Sequence, residues 1–385
     1  MKEPSAKKEY VRKEFAEMTA FLDGFLNLGT PGFDCIVYHR GNCVYRHRRG
    51  YRDYENTQEV TGKELYNIYS LSKPITCTAA LMLFEKGAFR LDDALCAYLP
   101  EFTEMYVKTI GDAGEKGSVV PAKKQIRIRD LFCMTAGFSY DLEAKSIKEG
   151  KEKTAGACPT REMMRYLAKE PLEFEPGTEW RYSFCHDVLA ALVETVSKMR
   201  YSEFVRTYIF EPLQMDHSTF DASTADMEKV MAQYQYDAKA QRIVNCGKEN
   251  QGFQLGRDYE SGGAGCISSM DDYIRFAEAL RKGDVLLSKK TSRLMWSNQL
   301  DEACLGAFCQ DRVKDYGYGL GVRCPRAGSS KKDFGWGGAG GAFVAISPEY
   351  EYSLVYLQHV MESPVQQEKG KLVDFMDRIF GAGVI

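Results

Sequence analysis

Ser70 and Lys73 stand three residues apart, immediately before the apolar ladder Ile75 to Phe84. Proline is tolerated only in the first turn of an α-helix, so Pro74 places a helix start near Ser70 and lets the helix run on to Gly87. Positions three apart share a helix face, which brings a lysine amine within reach of a serine hydroxyl. That hydroxyl is a weak nucleophile until a neighbour takes its proton, and the positive helix end stabilises the alkoxide or oxyanion that develops. The pair suits acyl transfer. It also reads as a serine N-cap followed by a solvated lysine. The same tetrad recurs at Ser5/Lys8 and Ser329/Lys332, but only Ser70 precedes a long amphipathic helix and follows a strand-like entry, Leu65 to Tyr69.

Two further stretches carry chemistry. Pro176-Gly177-Thr178-Glu179-Trp180-Arg181-Tyr182-Ser183 is a tight turn, an extended stretch and then a helix opened by Ser183, with the Tyr182 phenol at the junction. The phenol can point into a cleft or anchor the turn as a half-buried ring. Phe334 to Gly341 is the densest glycine run, and its glycines let backbone amides approach a ligand closely. A strand follows rather than a helix, so it is not a dinucleotide loop. It also reads as a tight β-turn. The five histidines include only His186 near a motif, four residues after Tyr182, where it reads as a polar helix residue. No Gly-x-Ser-x-Gly elbow and no His or Cys spacing for a metal is present, so neither a histidine triad, a metal nor another cofactor is expected.

These residues need a frame. Residues 7–28 read as an amphipathic helix with Phe15, Met18, Leu22, Phe25 and Leu26 on one side. Phe33–His39 and Cys43–Arg48 form a hairpin across Arg40-Gly41-Asn42. From Leu91 to about Glu260 the pattern is helical, at Ile128–Met134, Thr160–Ala168, Val188–Met199 and Tyr201–Ile209, and the charged run Glu143–Lys153 reads as a solvated loop. Strand signals return at Gly317–Arg323, Phe334–Trp336, Ala342–Ile346 and Tyr352–Gln358, before a closing helix Val365–Phe380. The expectation is an α+β fold: one antiparallel sheet built from both chain ends (1–90 and 260–385) and flanked by helices, with an inserted, mostly helical unit (91–259).

A chain of 385 residues with 44% hydrophobic content can bury a proper core. With 51 basic and 54 acidic residues spread along it, the net charge of -3 offers no long-range attraction to nucleic acid or an anionic membrane. No segment is apolar for about 18 residues, the N-terminus is charged, and the twelve cysteines are scattered without a Cys-x-x-Cys pair. A cytoplasmic protein with a small-molecule partner is expected, with homo-oligomerisation left open.

Ser70-x-x-Lys73, Tyr182-Ser183 after its Pro-Gly-Thr-x-Trp turn, and Trp336-Gly337-Gly338 occur in the order and rough spacing of the serine β-lactamase and penicillin-binding-protein superfamily, which the chain resembles. Pro31-Gly32-Phe33, Arg129-Asp130-Leu131 with Thr135-Ala136-Gly137, Gly262-Gly263-Ala264-Gly265 and Tyr316-Gly317-Tyr318-Gly319 are similar to phrases of its class C-like branch. The likeness spans roughly residues 30–360. It is greatest to the family VIII carboxylesterases. Phe184 stands where the branch usually has Asn, Trp336 replaces a Lys or His as in those esterases, and Tyr182-Ser183-x-x-x-Asp187-Val188-Leu189 is similar to their second motif.

The resemblance implies a β-lactamase/transpeptidase-like fold and a serine esterase. Ser70 would attack the acyl carbon, Lys73 and Tyr182 would relay its proton, and the amides of Ser70 and Ala339 would form the oxyanion hole. Trp336, Gly337, Gly338 and Phe184 would flank the substrate. Keeping a tyrosine ionised near pH 7 costs about 4 kcal/mol, and Lys73 is the only cation the motifs offer, so Tyr182 is expected to share the base role with it. Losing an Asn at 184 and gaining an indole at 336 favours small, rather apolar esters. An acyltransferase, a D-amino-acid amidase or peptidase, or a weak β-lactamase would use the same groups. The alternative of another class is a catalytically silent binding or sensor protein.

Overall fold

Apolar residues on either side of Arg40-Gly41 fold back as a hairpin of β1 (Gly32–His39) and β2 (Asn42–Gly50). Arg40 and Gly41 both have positive φ, 51° and 81°, as a two-residue hairpin turn requires. This is a computed structural model, and it describes residues 13–381 except 56, 110–116, 241, 250–251 and 312–313. The stretch expected as one strand over 317–323 splits into β3 (Tyr316–Tyr318) and β4 (Arg323–Pro325), because the chain reverses between them and the Gly319 N–H bonds the Val322 carbonyl at 2.8 Å. β5 (Phe334–Gly337), β6 (Phe343–Ser347) and β7 (Tyr352–Leu357) follow. The seven strands lie in the order β2-β1-β7-β6-β5-β4-β3, every neighbour antiparallel, so both ends of the chain build one sheet.

Side chains alternate across this sheet with a period of two. Cys35, Val37, Phe343, Ala345, Leu354 and Tyr356 face one core, which the terminal helices cover. The first of these, α1 (Ala16–Asp23), is flanked by short 3-10 turns at Lys13–Phe15 and Gly24–Leu28, and it buries Met18 and Leu22 beside Phe15 and Phe25. Residues 7–12 of the expected helix lie outside the described residues. Ile36, Val344, Ile346, Val355 and Leu357 face the second, larger core.

The helix that carries Lys73, α2 (Ser72–Glu85), runs through that second core. It is not amphipathic: every residue from Ser72 to Leu81 is buried, as befits a helix enclosed on all sides. Its hydroxyls are satisfied internally, with Thr78 Oγ1 donating to the Pro74 carbonyl at 2.8 Å and Thr76 Oγ1 within 2.6 Å of the Gly262 carbonyl. Behind it packs α3 (Cys185–Ser197), which begins two residues later than the expected Ser183. A further helix, α4 (Met270–Lys282), capped by Ser269 and ended by Gly283 at φ 74°, lies on the sheet. The expected closing helix is α5 (Val365–Glu368), a 3-10 turn Lys369–Lys371, and α6 (Leu372–Gly381).

The segment between α2 and α4 is not purely helical. It holds two hairpins, Tyr106–Lys108 with Val119–Pro121 and Gln233–Asp237 with Arg242–Gly247, and Val360–Met361 pairs with the second in parallel. The Glu143–Lys153 run is also not a loop. Lys145–Lys153 is a helix whose Ser146, Ile147 and Gly150 turn inward, three and four apart, and a Cβ at Gly150 would meet Met163 at 2.6 Å. That bare position lets two helices touch beneath a charged outer face. Among the described residues no helix is long and apolar enough to cross a membrane.

Candidate active site

Ser70 sits in a 3-10 turn, Tyr69–Leu71, that leads straight into α2. The turn is entered through Tyr69 at φ 48°, a left-handed conformation that costs a side-chain-bearing residue about 1 kcal/mol or more. Pro74 falls in the first turn of α2, where its missing N–H costs no helix bond. Lys73 follows one turn after Ser70 and is 0% exposed. Its Nζ donates to Ser70 Oγ at 3.2 Å and to the Gly263 carbonyl at 2.7 Å.

The Gly263 carbonyl reaches Lys73 only because residues 262–263 carry no side chains. A Cβ at Gly262 would stand 2.4 Å from the His186 carbonyl, and one at Gly263 would stand 2.6 Å from Asp187 Oδ2. Asp187 is a buried carboxyl beside this loop. Its Oδ1 accepts hydrogen bonds from Ser261 Oγ at 2.6 Å and the Tyr259 hydroxyl at 3.0 Å. Burial pushes its carboxyl pKa up, against the Ser261 hydrogen bond and the charge of Lys73, which both pull it down.

Tyr182 arrives from the other side. Its hydroxyl bonds Ser70 Oγ, and its ring lies 4.3 Å from Lys73 Nζ, measured to the centroid. The ammonium therefore faces both the serine oxygen and the aromatic face. The stretch that delivers Tyr182 is pinned to residues 134–139. The Met134 carbonyl accepts the Arg181 N–H at 3.0 Å, the Thr135 carbonyl accepts the Gly177 N–H at 2.8 Å, and the Ser139 carbonyl accepts the Phe184 N–H at 3.2 Å. Asp130 holds that segment in turn, accepting from Thr135 Oγ1 at 3.1 Å and the Arg127 N–H at 2.9 Å.

The glycine run closes the third side. After β5 the chain turns at Gly338–Ala342, with the Gly338 N–H bonding the Ala342 carbonyl at 2.8 Å and Gly341 at φ 99°. A Cβ at Gly338 would lie 2.5 Å from the Ile68 carbonyl, so the turn packs directly on the element that carries Ser70. Trp336 stacks on Tyr182, with centroids 6.0 Å apart and planes 14° apart, and meets Tyr318 edge-on. Ser70, Tyr182, Trp336, Gly337, Gly338 and Ala339 line one groove of about 490 Å³. Phe308 and Phe343 add apolar wall, and Arg323, Gln366, Gln367 and Lys369 form a polar end.

Phe184 does not join them. It is 2% exposed, absent from the groove, and packed edge-on against Tyr140 at 4.9 Å, because the backbone turns inward there to begin α3. Its expected place in the substrate pocket is therefore corrected to a support packed against Tyr140, whose ring in turn meets Tyr182. His186 is likewise enclosed, within 3.3 Å of the Phe132 carbonyl, and burial drives its pKa down to about 3, with the charge of Lys73 adding to the shift. No histidine lines the groove among the described residues. Nor do three His, Cys, Asp or Glu side chains converge there as a metal-binding group.

Lys73 lies buried beneath Ser70, and two other cations line the groove. Lys369 reaches it from the turn after α5, and Arg323 from β4, where its Nη1 donates to Asp333 Oδ2 at 2.7 Å. Neither belongs to a recognisable motif. Lys369 sits in a run of polar residues, Gln366 to Lys371, that reads as the solvated start of a helix.

A sequence-family model described as Beta-lactamase matches residues 12–375. The chain is 28% identical over 336 residues to Esterase EstB of Burkholderia gladioli, covering 80% of this chain and 81% of that protein. Among solved structures it aligns with EstCE1, "a hydrolase with promiscuous acyltransferase activity", at a TM-score of 0.76 and 23% identity over 96% of this chain and 99% of the other. It aligns with D-amino acid amidase from Ochrobactrum anthropi at a TM-score of 0.72 and 18% identity, over 97% and 100% of the two chains. These structural likenesses show a shared fold.

Proposed function

The chain belongs to the beta-lactamase family, and we propose from that premise that it is a serine hydrolase of small, rather apolar carboxylic esters, working through an acyl-enzyme on Ser70. The observation that carries this is the convergence of Lys73 Nζ and the Tyr182 hydroxyl on Ser70 Oγ. Similarity to an esterase supports the substrate class. Apolar walls from Trp336, Phe308 and Phe343 support it as well.

In the proposed reaction Ser70 Oγ attacks the acyl carbon while its proton passes to Tyr182 and Lys73 acting together. The Ser70 and Ala339 amides hold the oxyanion. Collapse breaks the ester bond, the alcohol leaves with the relayed proton, and water then hydrolyses the acyl-enzyme by the same relay, releasing the carboxylic acid. No cofactor enters the scheme. The division into a sheet unit (1–90 with 260–385) and an inserted unit (91–259) is part of the same proposal, supported by a seven-stranded sheet that draws no strand from the insert. So is a cytoplasmic setting, for which the scattered cysteines speak.

Comparing turnover of p-nitrophenyl butyrate, nitrocefin and a D-alanine amide tests the substrate class. The ester should be turned over fastest, with all activity lost in Ser70→Ala. Faster cleavage of the lactam or amide would replace the proposal with the corresponding alternative. An added alcohol that diverts the acyl group into a new ester would add transferase activity to it.

A further inference from the structure

Gln366 and Lys369 lie one turn apart where the closing helices begin, and both reach back to the glycine turn beside Ser70. Gln366 Nε2 donates to the Ala339 carbonyl at 2.6 Å. Lys369 Nζ donates to the Ala342 carbonyl at 3.1 Å, the Gly338 carbonyl at 3.3 Å and Gln366 Oε1 at 2.5 Å. The first, second and last residues of the turn are thus held by two side chains. On its opposite face the same turn rests on the Ile68 carbonyl and the Tyr69 ring. No side chain at 337 intervenes, since a Cβ there would stand 3.3 Å from Lys369 Nζ.

We infer that Lys369 is a positioning residue for the Ser70 reaction: its ammonium clamps the Gly338–Ala342 turn so that the Ala339 amide stays aimed at the developing oxyanion. This rests on the proposed acyl-transfer function. The clamp depends on charge state through simple counting. A protonated Nζ has three N–H groups for its three oxygens, whereas a neutral amine has two and turns a lone pair toward the third. Three neutral oxygens hold the proton, with no negative charge beside them among the described residues. The charged and titratable groups at this end are Arg323 with its partner Asp333, the Tyr316 hydroxyl that donates to Asp333, the Glu368–Lys371 pair on the same segment, and the Tyr182 phenol across the groove. No carboxylate among the described residues forms an ion pair with Lys369, and burial lowers its pKa to about 7. Rising pH should therefore release the clamp near neutrality and lower turnover.

The test measures kcat and KM for p-nitrophenyl butyrate between about pH 5.5 and about pH 9 in wild type, K369M and K369R. Fluorophosphonate labelling of each, with Ser70→Ala as control, and melting temperatures accompany it. Wild-type kcat should fall as pH rises through about 7. K369M should lose roughly tenfold or more in kcat at the acid end with KM within about twofold, and its profile should lack the falling limb. K369R, which does not lose its proton, should lack that limb too. K369M should melt no lower than wild type below pH 7, because a buried ammonium costs stability there and the unfolded chain keeps its proton to higher pH. K369M with wild-type kcat and an unchanged limb would overturn the inference while Ser70-dependent labelling and hydrolysis leave the esterase proposal standing. Equal labelling of Ser70→Ala would overturn both.

Discussion

Three atoms define the centre: Ser70 Oγ, Lys73 Nζ at 3.2 Å, and the Tyr182 hydroxyl bonded to the same serine. Lys73 has no freedom to choose another partner, since it is buried, tied to the Gly263 carbonyl and laid over the Tyr182 ring. Removing either relay member should cost catalysis rather than folding. Lys73→Ala and Tyr182→Phe are each expected to lower kcat/KM for an ester by roughly 10²- to 10⁴-fold. Near wild-type turnover in either variant would show that the proton leaves Ser70 by another route. The pairing of Ser70 and Lys73 was legible in the sequence because a spacing of three brings side chains together even though Ser70 sits in a 3-10 turn that leads into α2 rather than on α2 itself. Phe184 was not: its neighbour Tyr182 faces the groove, but the start of α3 turns position 184 inward. Lys369 was invisible for the opposite reason, because its importance comes from packing against a turn some thirty residues away in the chain.

Elements position these atoms through backbone contacts that tolerate little bulk. The loop at 262–263 threads between α2 and α3, and its carbonyls serve Thr76 and Lys73. Gly263→Ala would force a methyl to within 2.6 Å of Asp187 Oδ2. We expect a stability loss of about 1–3 kcal/mol and a fall in kcat of roughly tenfold or more as the Lys73 anchor shifts. A variant with unchanged kinetics would mean that the loop does not set the lysine. At this scale the sequence was informative where a local rule applied. Pro74 marked the helix start, Arg40-Gly41 the hairpin, and short, mostly apolar runs the strands β6 and β7, which are buried along their whole length. It misled where burial overrode pattern. The charged Lys145–Lys153 stretch is helical because three inward positions pack, and α2 is enclosed all round rather than on one side. Helix α4 escaped notice, since its apolar residues are interleaved with Asp272 and Glu278, which are buried with partners rather than exposed.

Across the whole molecule, one sheet carries two cores. Both chain ends cover one face, and α2, the helix that carries Lys73, runs through the other. Enclosing so much within the second core also encloses titratable groups. His186 is driven to about 3 and His359 to about 4, chiefly by burial. Both values lie below the ordinary histidine value of about 6.5. The unfolded chain therefore takes up protons that the fold refuses as pH falls from about 6.5 toward those values, and stability is lost across that window. Each histidine should contribute a slope approaching about 1.4 kcal/mol per pH unit. Urea titrations between about pH 7 and about pH 4 should show it, and His186→Gln should flatten the curve. A mutant slope equal to wild type would contradict the assignment.

The central claim is that Ser70 becomes acylated. Intact-protein mass spectrometry during turnover of an activated ester, followed by peptide mapping, tests it most directly. The predicted result is a mass increase equal to the acyl group, mapped to the peptide containing Ser70 and missing in Ser70→Ala. Hydrolysis by an unmodified wild-type chain, or an adduct of equal occupancy in Ser70→Ala, would contradict it.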